Sequence, residues 1–131
     1  MTAPLLRKID SLQLPVPDLD TAIAFYCDRL GQPLIWRSKT AAGLGLEGEG
    51  EIVLQTERPH PEVDILVSRV EDAARAFVEA GGTLLAGPFD IQVGRCAVVK
   101  DPWGNVLVLL DMSKGRLVTD DQGNILGNEP A

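Results

Sequence analysis

Residues 16–34 and 67–85 repeat one pattern, 51 positions apart. The first copy reads VPDLDTAIAFYCDRLGQPL and the second reads VSRVEDAARAFVEAGGTLL. Each copy places apolar residues at the i, i+3, i+4 and i+7 spacing of one helix face. These residues are Leu19, Ala22, Ile23 and Tyr26 in the first copy, and Val70, Ala73, Ala74 and Phe77 in the second. Two copies are too few for a solenoid, so the repeat predicts one internally duplicated domain.

Each copy reads as strand, helix and three further strands. The alternation of apolar and polar residues predicts strands at about 8–15, 33–38, 41–47 and 51–56, and then at 62–67, 83–86, 92–100 and 105–110. Asp18 or Asp20 is a suitable N-cap for the first helix, and Ser68 with Glu71 has the spacing of a capping box for the second. We therefore expect one domain over 1–111, with module one at about 7–56 and module two at about 62–111.

The tail, 112–131, has no counterpart in the first copy. Its RLVT and NIL runs flank DDQG, which is typical of a small hairpin. Such an appendage would act as a lid or as a dimer contact.

Composition excludes several classes of function. A net charge of −7 and a pI near 4.6 argue against a nucleic-acid surface, which needs clustered Lys and Arg. The sequence contains no run of 18 apolar residues and no basic region followed by an apolar run, so neither a membrane span nor a secretory signal is expected. Two cysteines without metal-ligand spacing fit a cytoplasmic protein with reduced thiols.

Two segments, PVPDLDTAIAFYCDRLG and AGPFDIQVGRCAVVKDPWGNVLVLL, resemble the vicinal oxygen chelate superfamily. That superfamily includes glyoxalase I, extradiol dioxygenases, methylmalonyl-CoA epimerase and bleomycin-resistance proteins, and the resemblance covers about residues 7–111. It implies an α+β fold in which two βαβββ modules form a curved mixed sheet around a cup-shaped cavity. It also implies a homodimer, because proteins of this family usually dimerise. Fold alone does not fix activity.

In the family's enzymes, His and Glu side chains of the first and fourth strand of each module hold a divalent metal. The matching positions here are Ser11, Glu62, Val108 and, with a register uncertain by one residue, Leu54 or Gln55. Only Glu62 is an ordinary metal ligand, so we expect no metal cofactor. A rebuilt site is the alternative, with Glu62 and Asp64 joined by Gln13 or Gln55. The single histidine, His60, lies between two prolines in the linker and is expected to be exposed.

Strand alternation predicts which side chains face the cavity. Ser11 and Gln13 from the first strand, Glu62 and Asp64 from the matching strand, and Val108 from the last should do so. These positions combine a polar end with an apolar end, which is typical of a small-molecule site. The same composition also describes a cup that side chains simply fill.

Three further residues could contact a ligand. Trp36 and Trp103 offer flat apolar surfaces for stacking, although Trp36 could equally be an ordinary sheet residue and Trp103 an exposed turn residue. Arg95 could bind an anionic ligand or, if it pairs with Glu62 or Asp64, form a structural ion pair.

These observations leave three functions open. The favoured one is a metal-independent binding protein that sequesters or senses a hydrophobic or aromatic small molecule. The second is an enzyme of the lyase, isomerase or dioxygenase type, with a rebuilt metal site or with Glu62 as a general base. The third is a structural or interaction protein with a filled cup.

Overall fold

The computed structural model describes residues 3–130. Module one consists of β1 (Lys8–Pro15), α1 (Leu19–Ile23) with a π-helical continuation (Ala24–Arg29), β2 (Leu34–Arg37), β3 (Ala41–Gly45) and β4 (Glu51–Gln55). Module two consists of β5 (Glu62–Leu66), α2 (Val70–Glu79), β6 (Thr83–Ile91), β7 (Gly94–Lys100) and β8 (Val106–Leu110). The tail forms β9 (Arg116–Thr119) and β10 (Ile125–Glu129), which pair with each other. The predicted α+β fold with two βαβββ modules is confirmed.

The chain divides into two compact units. The N-terminal unit contains Asp10–Glu62 and Val118–Gly127. The C-terminal unit contains Val63–Leu117. It also includes the described residues up to Ile9 and those that follow from Asn128 onward. None of the helices in residues 3–130 is long and apolar enough to cross a membrane.

In the N-terminal unit the strands lie in the order β2-β3-β4-β1. β1 and β4 are parallel, whereas the other neighbouring strands are antiparallel. The predicted apolar helix face packs on one side of these strands, in a core around Leu19, Ala42, Leu44 and Leu54. Asp18 caps α1, because its carboxylate accepts a hydrogen bond from Thr21 N at 3.0 Å.

The tail also contributes to this unit. The backbone N–H of Arg37 donates to Gly123 O at 2.7 Å, and Arg37 forms a parallel bridge with Asn124. The turn of the tail hairpin therefore lies along β2, the edge strand of the order given above, and covers hydrogen-bonding groups that an edge strand otherwise exposes.

In the C-terminal unit the strands lie in the order β5-β8-β7-β6, and β5 and β8 are parallel. The apolar side of α2 packs on a core that includes Ile65, Val70, Ala97 and Leu109, as its spacing predicts. β6 is longer than the predicted strand at 83–86, because it continues past Pro88 with two register shifts against β7. Proline is tolerated there because β6 is the outer strand of this order.

The predicted capping box of α2 is wrong. Arg69 is the N-cap and contributes no side-chain hydrogen bond. Instead, the buried carboxylate of Asp111 accepts from Val70 N at 3.0 Å, from Arg95 N at 3.0 Å and from Ser113 N at 3.2 Å. Burial alone would raise the pKa of Asp111, but these hydrogen bonds outweigh it and hold the pKa below its usual range.

Candidate functional site

The side of the N-terminal strands away from α1 carries a row of polar and aromatic side chains. Because successive strand residues alternate between faces, this side receives Ser11 and Gln13 from β1, Glu51 and Gln55 from β4, and Trp36 from β2. We call these five residues the polar face. Ser11 and Gln55 are almost fully buried, with 2% and 1% of their surface exposed. The predicted orientation of Ser11 and Gln13, away from the helix, agrees with the register.

Trp36 and Glu51 form a corner at one end of the polar face. Trp36 lies opposite Gly43 on β3, and its Nε1 donates to Glu51 Oε1 at 2.8 Å. A Cβ built on Gly43 would lie 2.0 Å from Trp36 Nε1, so the indole packs directly on the glycine backbone. Only glycine leaves this space, and the indole is therefore held in place by Gly43 beneath it and by Glu51 at its N–H.

Glu51 is a half-buried carboxyl in this corner. Burial raises the pKa of Glu51, the hydrogen bond from Trp36 lowers it in part, and the negative charge of Asp10 raises it further. On β1, Ser11 lies opposite Glu51 in the strand register. Glu51 was not among the residues predicted to face the cavity, although strand alternation places it on the same side of β4 as Gln55.

The other end of the polar face is organised around the linker. Gln55 Oε1 accepts from Glu57 N at 2.8 Å and from Arg58 N at 2.7 Å, and its Nε2 donates to Arg58 O at 2.8 Å. These bonds fix the backbone of Arg58. The guanidinium of Arg58 then donates to Gln13 Oε1 and forms an ion pair with Glu62 at 3.3 Å. Arg58 thus connects Gln13, Gln55 and Glu62. The role of Arg58 was not predicted from the sequence, because this residue lies in the linker, outside any strand or helix.

The corresponding side of the C-terminal unit is mostly apolar. Asp64 on β5 lies opposite Val108 on β8, and both side chains are buried. Leu66 and Leu110 pair in the same ladder. Asp64 is therefore a buried carboxyl in an otherwise aliphatic stretch.

Two predicted ligand contacts lie elsewhere. Arg95 lies on the same face of β7 as the core residues Ala97 and Val99, so its side chain is on the helix side. Its partners are Glu71 at 2.7 Å and Asp90 at 3.2 Å, so Arg95 forms structural ion pairs, but with these residues and not with Glu62 or Asp64. Trp103 lies in the turn before β8 with 84% of its surface exposed, and Asp101 holds that turn.

The strand register also corrects one predicted metal position. Gln13 and Asp64 are equivalent in the repeat; Gln13 lies opposite Val53 and Asp64 lies opposite Val108. Val53, rather than Leu54 or Gln55, is therefore the counterpart of Val108. Leu54 lies in the helix-side core, and the amide of Gln55 is bound to the linker.

The residues at the family's metal positions do not fit a divalent metal. They are a serine, two valines and Glu62, which is ion-paired with Arg58. Valine offers no ligand atom, and a metal needs three or four imidazole, carboxylate or thiolate groups. Among residues 3–130, no group of three His, Cys, Asp or Glu side chains is close enough to bind a metal together.

The sequence profile of the Glyoxalase/Bleomycin resistance protein/Dioxygenase superfamily matches residues 8–109. The chain belongs to this superfamily. It is also 32% identical over 107 residues to an uncharacterized protein of Mycolicibacterium smegmatis, a match that covers 78% of this chain and 91% of that protein.

Solved structures agree on the fold. Methylmalonyl-CoA epimerase from Mycobacterium tuberculosis superposes with a TM-score of 0.72 at 20% identity, covering 86% of this chain and 93% of that one. A variant of homoprotocatechuate 2,3-dioxygenase from Brevibacterium fuscum superposes with a TM-score of 0.63 at 24% identity, covering 84% of this chain and 33% of the dioxygenase. At these identities the similarity establishes the fold and not the reaction.

Proposed function

We propose that this superfamily member binds a small organic molecule with a planar apolar part, and that it does so without a divalent metal. Binding would take place on the polar face, and its role would be to sequester or sense that molecule. The observation that carries the proposal is the anchored indole of Trp36. Its ring is fixed by Gly43 and Glu51, so a stacked ligand would not have to immobilise it.

The polar side chains of this face support the proposal in a second way. Ligand sites combine apolar or aromatic surface with a few well-placed polar groups that orient the ligand. Here Glu51 is fixed by Trp36, and Arg58 is fixed by Gln55 and Gln13. Both polar groups are oriented by hydrogen bonds within the unit.

A fluorescence screen with planar aromatic compounds tests this proposal. Trp103→Phe removes the exposed indole, so that emission reports on Trp36, the remaining tryptophan of the chain. We expect at least one class of aromatic compound to change this emission saturably and to raise the melting temperature. Trp36→Leu should abolish the thermal shift, whereas Trp103→Leu should leave it unchanged. If no compound binds, or if Trp36→Leu binds as well as the parent protein, the proposal is wrong.

Metal content provides a separate test. We expect no stoichiometric metal, measured by inductively coupled plasma mass spectrometry, after incubation with Zn²⁺, Ni²⁺, Mn²⁺ or Fe²⁺ and removal of excess ion. One tightly held equivalent per chain would favour the enzyme alternative with a rebuilt site.

We also propose a homodimer, on the basis of the family resemblance. Sedimentation equilibrium at micromolar concentration tests it, and a single species with the mass of one chain would contradict it.

A further inference from the structure

Glu51 differs from Glu62, the carboxylate at the other end of the polar face, in having no basic partner among residues 3–130. Glu62 pairs with Arg58. Glu51 accepts one hydrogen bond, from Trp36 to Oε1, and forms no ion pair within the part of the chain that the structure describes. Carboxylates removed from water are ordinarily paired with a cation, because an uncompensated charge in a low-dielectric environment is costly.

The electrostatics of the corner are consistent with this difference. Burial and Asp10 raise the pKa of Glu51, and the only opposing influence is the neutral N–H of Trp36. A positive charge placed beside the second oxygen would favour the ionised carboxylate and bring the pKa down. The local field therefore favours a cation over a neutral or anionic group.

Trp36 adds a second recognition element. Its indole packs on Gly43 on one side, and the residue remains partly exposed. Tryptophan is the best aromatic partner for an organic cation, because the ring face carries negative electrostatic potential. An ammonium that donates to the Glu51 carboxylate would then be close enough to contact the adjacent indole.

We propose that the Trp36–Glu51 corner binds the protonated amine of a small organic ligand, with the ammonium donating to Glu51 and lying against the indole. This inference rests on the proposed function and specifies its ligand class as an aromatic or aliphatic amine. Metal ions are a poorer fit, because the corner offers one carboxylate and an indole N–H that is a donor only.

The test compares two probes of similar shape, 2-phenylethylammonium and 2-phenylethanol, by Trp36 fluorescence in the Trp103→Phe background. The decisive variant is Glu51→Gln, which keeps an oxygen for the Trp36 N–H but removes the charge. Glu47→Gln is the matched control, since Glu47 is an exposed residue between β3 and β4 and the same charge is lost.

We expect the ammonium to bind more tightly than the alcohol in the parent protein. Glu51→Gln should weaken ammonium binding about tenfold or more, the loss expected for a charge-assisted hydrogen bond, and should leave alcohol binding unchanged. Glu47→Gln should leave both unchanged. Glu51→Asp, which keeps the charge, should retain a preference for the ammonium, and urea denaturation should confirm that each variant is folded.

Two results would overturn the amine proposal while leaving the proposed function in place. One is equal binding of both probes with no effect of Glu51→Gln. The other is preferential binding of the anion 3-phenylpropionate at Trp36. If no aromatic probe of any charge perturbs Trp36, the proposed function and the amine proposal both fail.

Discussion

Replacing Gly43 with alanine should disrupt the Trp36–Glu51 corner through a single methyl group. Gly43 is buried and its backbone is not in the left-handed region, so alanine introduces no backbone strain. The new Cβ would, however, lie 2.0 Å from Trp36 Nε1 and 2.5 Å from Cε2. These atoms belong to a rigid ring whose N–H is bonded to Glu51, so the ring must leave its position.

The expected loss of stability follows from three contributions. Displacing the ring breaks a hydrogen bond to a carboxylate, which contributes about 1.5–3 kcal/mol when buried and less here because Glu51 is partly exposed. Overpacking of a tight site costs about 1–3 kcal/mol. Alanine gains about 0.4–1 kcal/mol by restricting the unfolded chain. We expect a net loss of about 1–4 kcal/mol in the free energy of unfolding.

Urea denaturation of Gly43→Ala, with Trp36 emission recorded in the Trp103→Phe background, measures both the loss of stability and the displacement of the indole. Gly45→Ala is the matched control, because it adds the same methyl group to the same strand. Its Cβ would meet side-chain carbons of Pro33 and Ile35 at 3.0–3.1 Å, a milder contact than that of Gly43 with the indole. Surface substitutions ordinarily change stability by less than about 0.5 kcal/mol. A loss of that size in Gly43→Ala, together with unchanged emission, would refute the view that Gly43 anchors the indole.

Two further predictions concern titratable groups. Asp111→Ala removes the acceptor of three backbone N–H groups and should cost about 2–4 kcal/mol by urea denaturation, and Asp111→Asn should cost less. Because the folded pKa of Asp111 is lowered, its stabilisation should disappear as the pH falls through that pKa; equal pH dependence in Asp111→Asn would contradict this. The pKa of Glu51 is raised, so the stability of the parent protein relative to Glu51→Gln should be highest below the ordinary pKa of a glutamate side chain, 4.5, and should fall as the pH rises through the folded pKa. A difference that stays constant between pH 4 and 8 would exclude a perturbed Glu51.

The regular elements could be predicted because their residues follow simple periods. The β1 strand alternates along its length, and the helix faces at Leu19 and Val70 repeat every three to four residues. Those periods reflect burial against one core, so sequence alone locates them. The same alternation correctly separated Ser11 and Gln13 from the helix side.

The cap of α2 and the contacts that organise the polar face are not periodic, so the alternation of residues does not predict them. Asp111 caps α2 from 41 residues away, and a search for local capping motifs selects Ser68 instead. Arg58 reaches Gln13 only because Gln55 holds the linker backbone, which depends on side-chain packing. Strand alternation could have placed Glu51 on the polar face. Its importance, however, comes from its contact with Trp36, and the packing of Trp36 on Gly43 depends on the β2–β3 register.

The duplication itself limits what family membership can say about chemistry. Equivalent positions of the two modules carry Gln13 and Asp64 on the first strands, and Val53 and Val108 on the fourth. Valine at both fourth-strand positions removes two ligand groups without disturbing the parallel pairing, because backbone hydrogen bonds and helix-side packing hold those strands. The fold can therefore be kept while the metal positions change, and Trp36, Glu51 and Arg58 need not match any family ligand to form a site. If the chain nevertheless retains one metal equivalent, the ligands must come from outside the two fourth-strand positions, because the side chains of Val53 and Val108 offer no ligand atom.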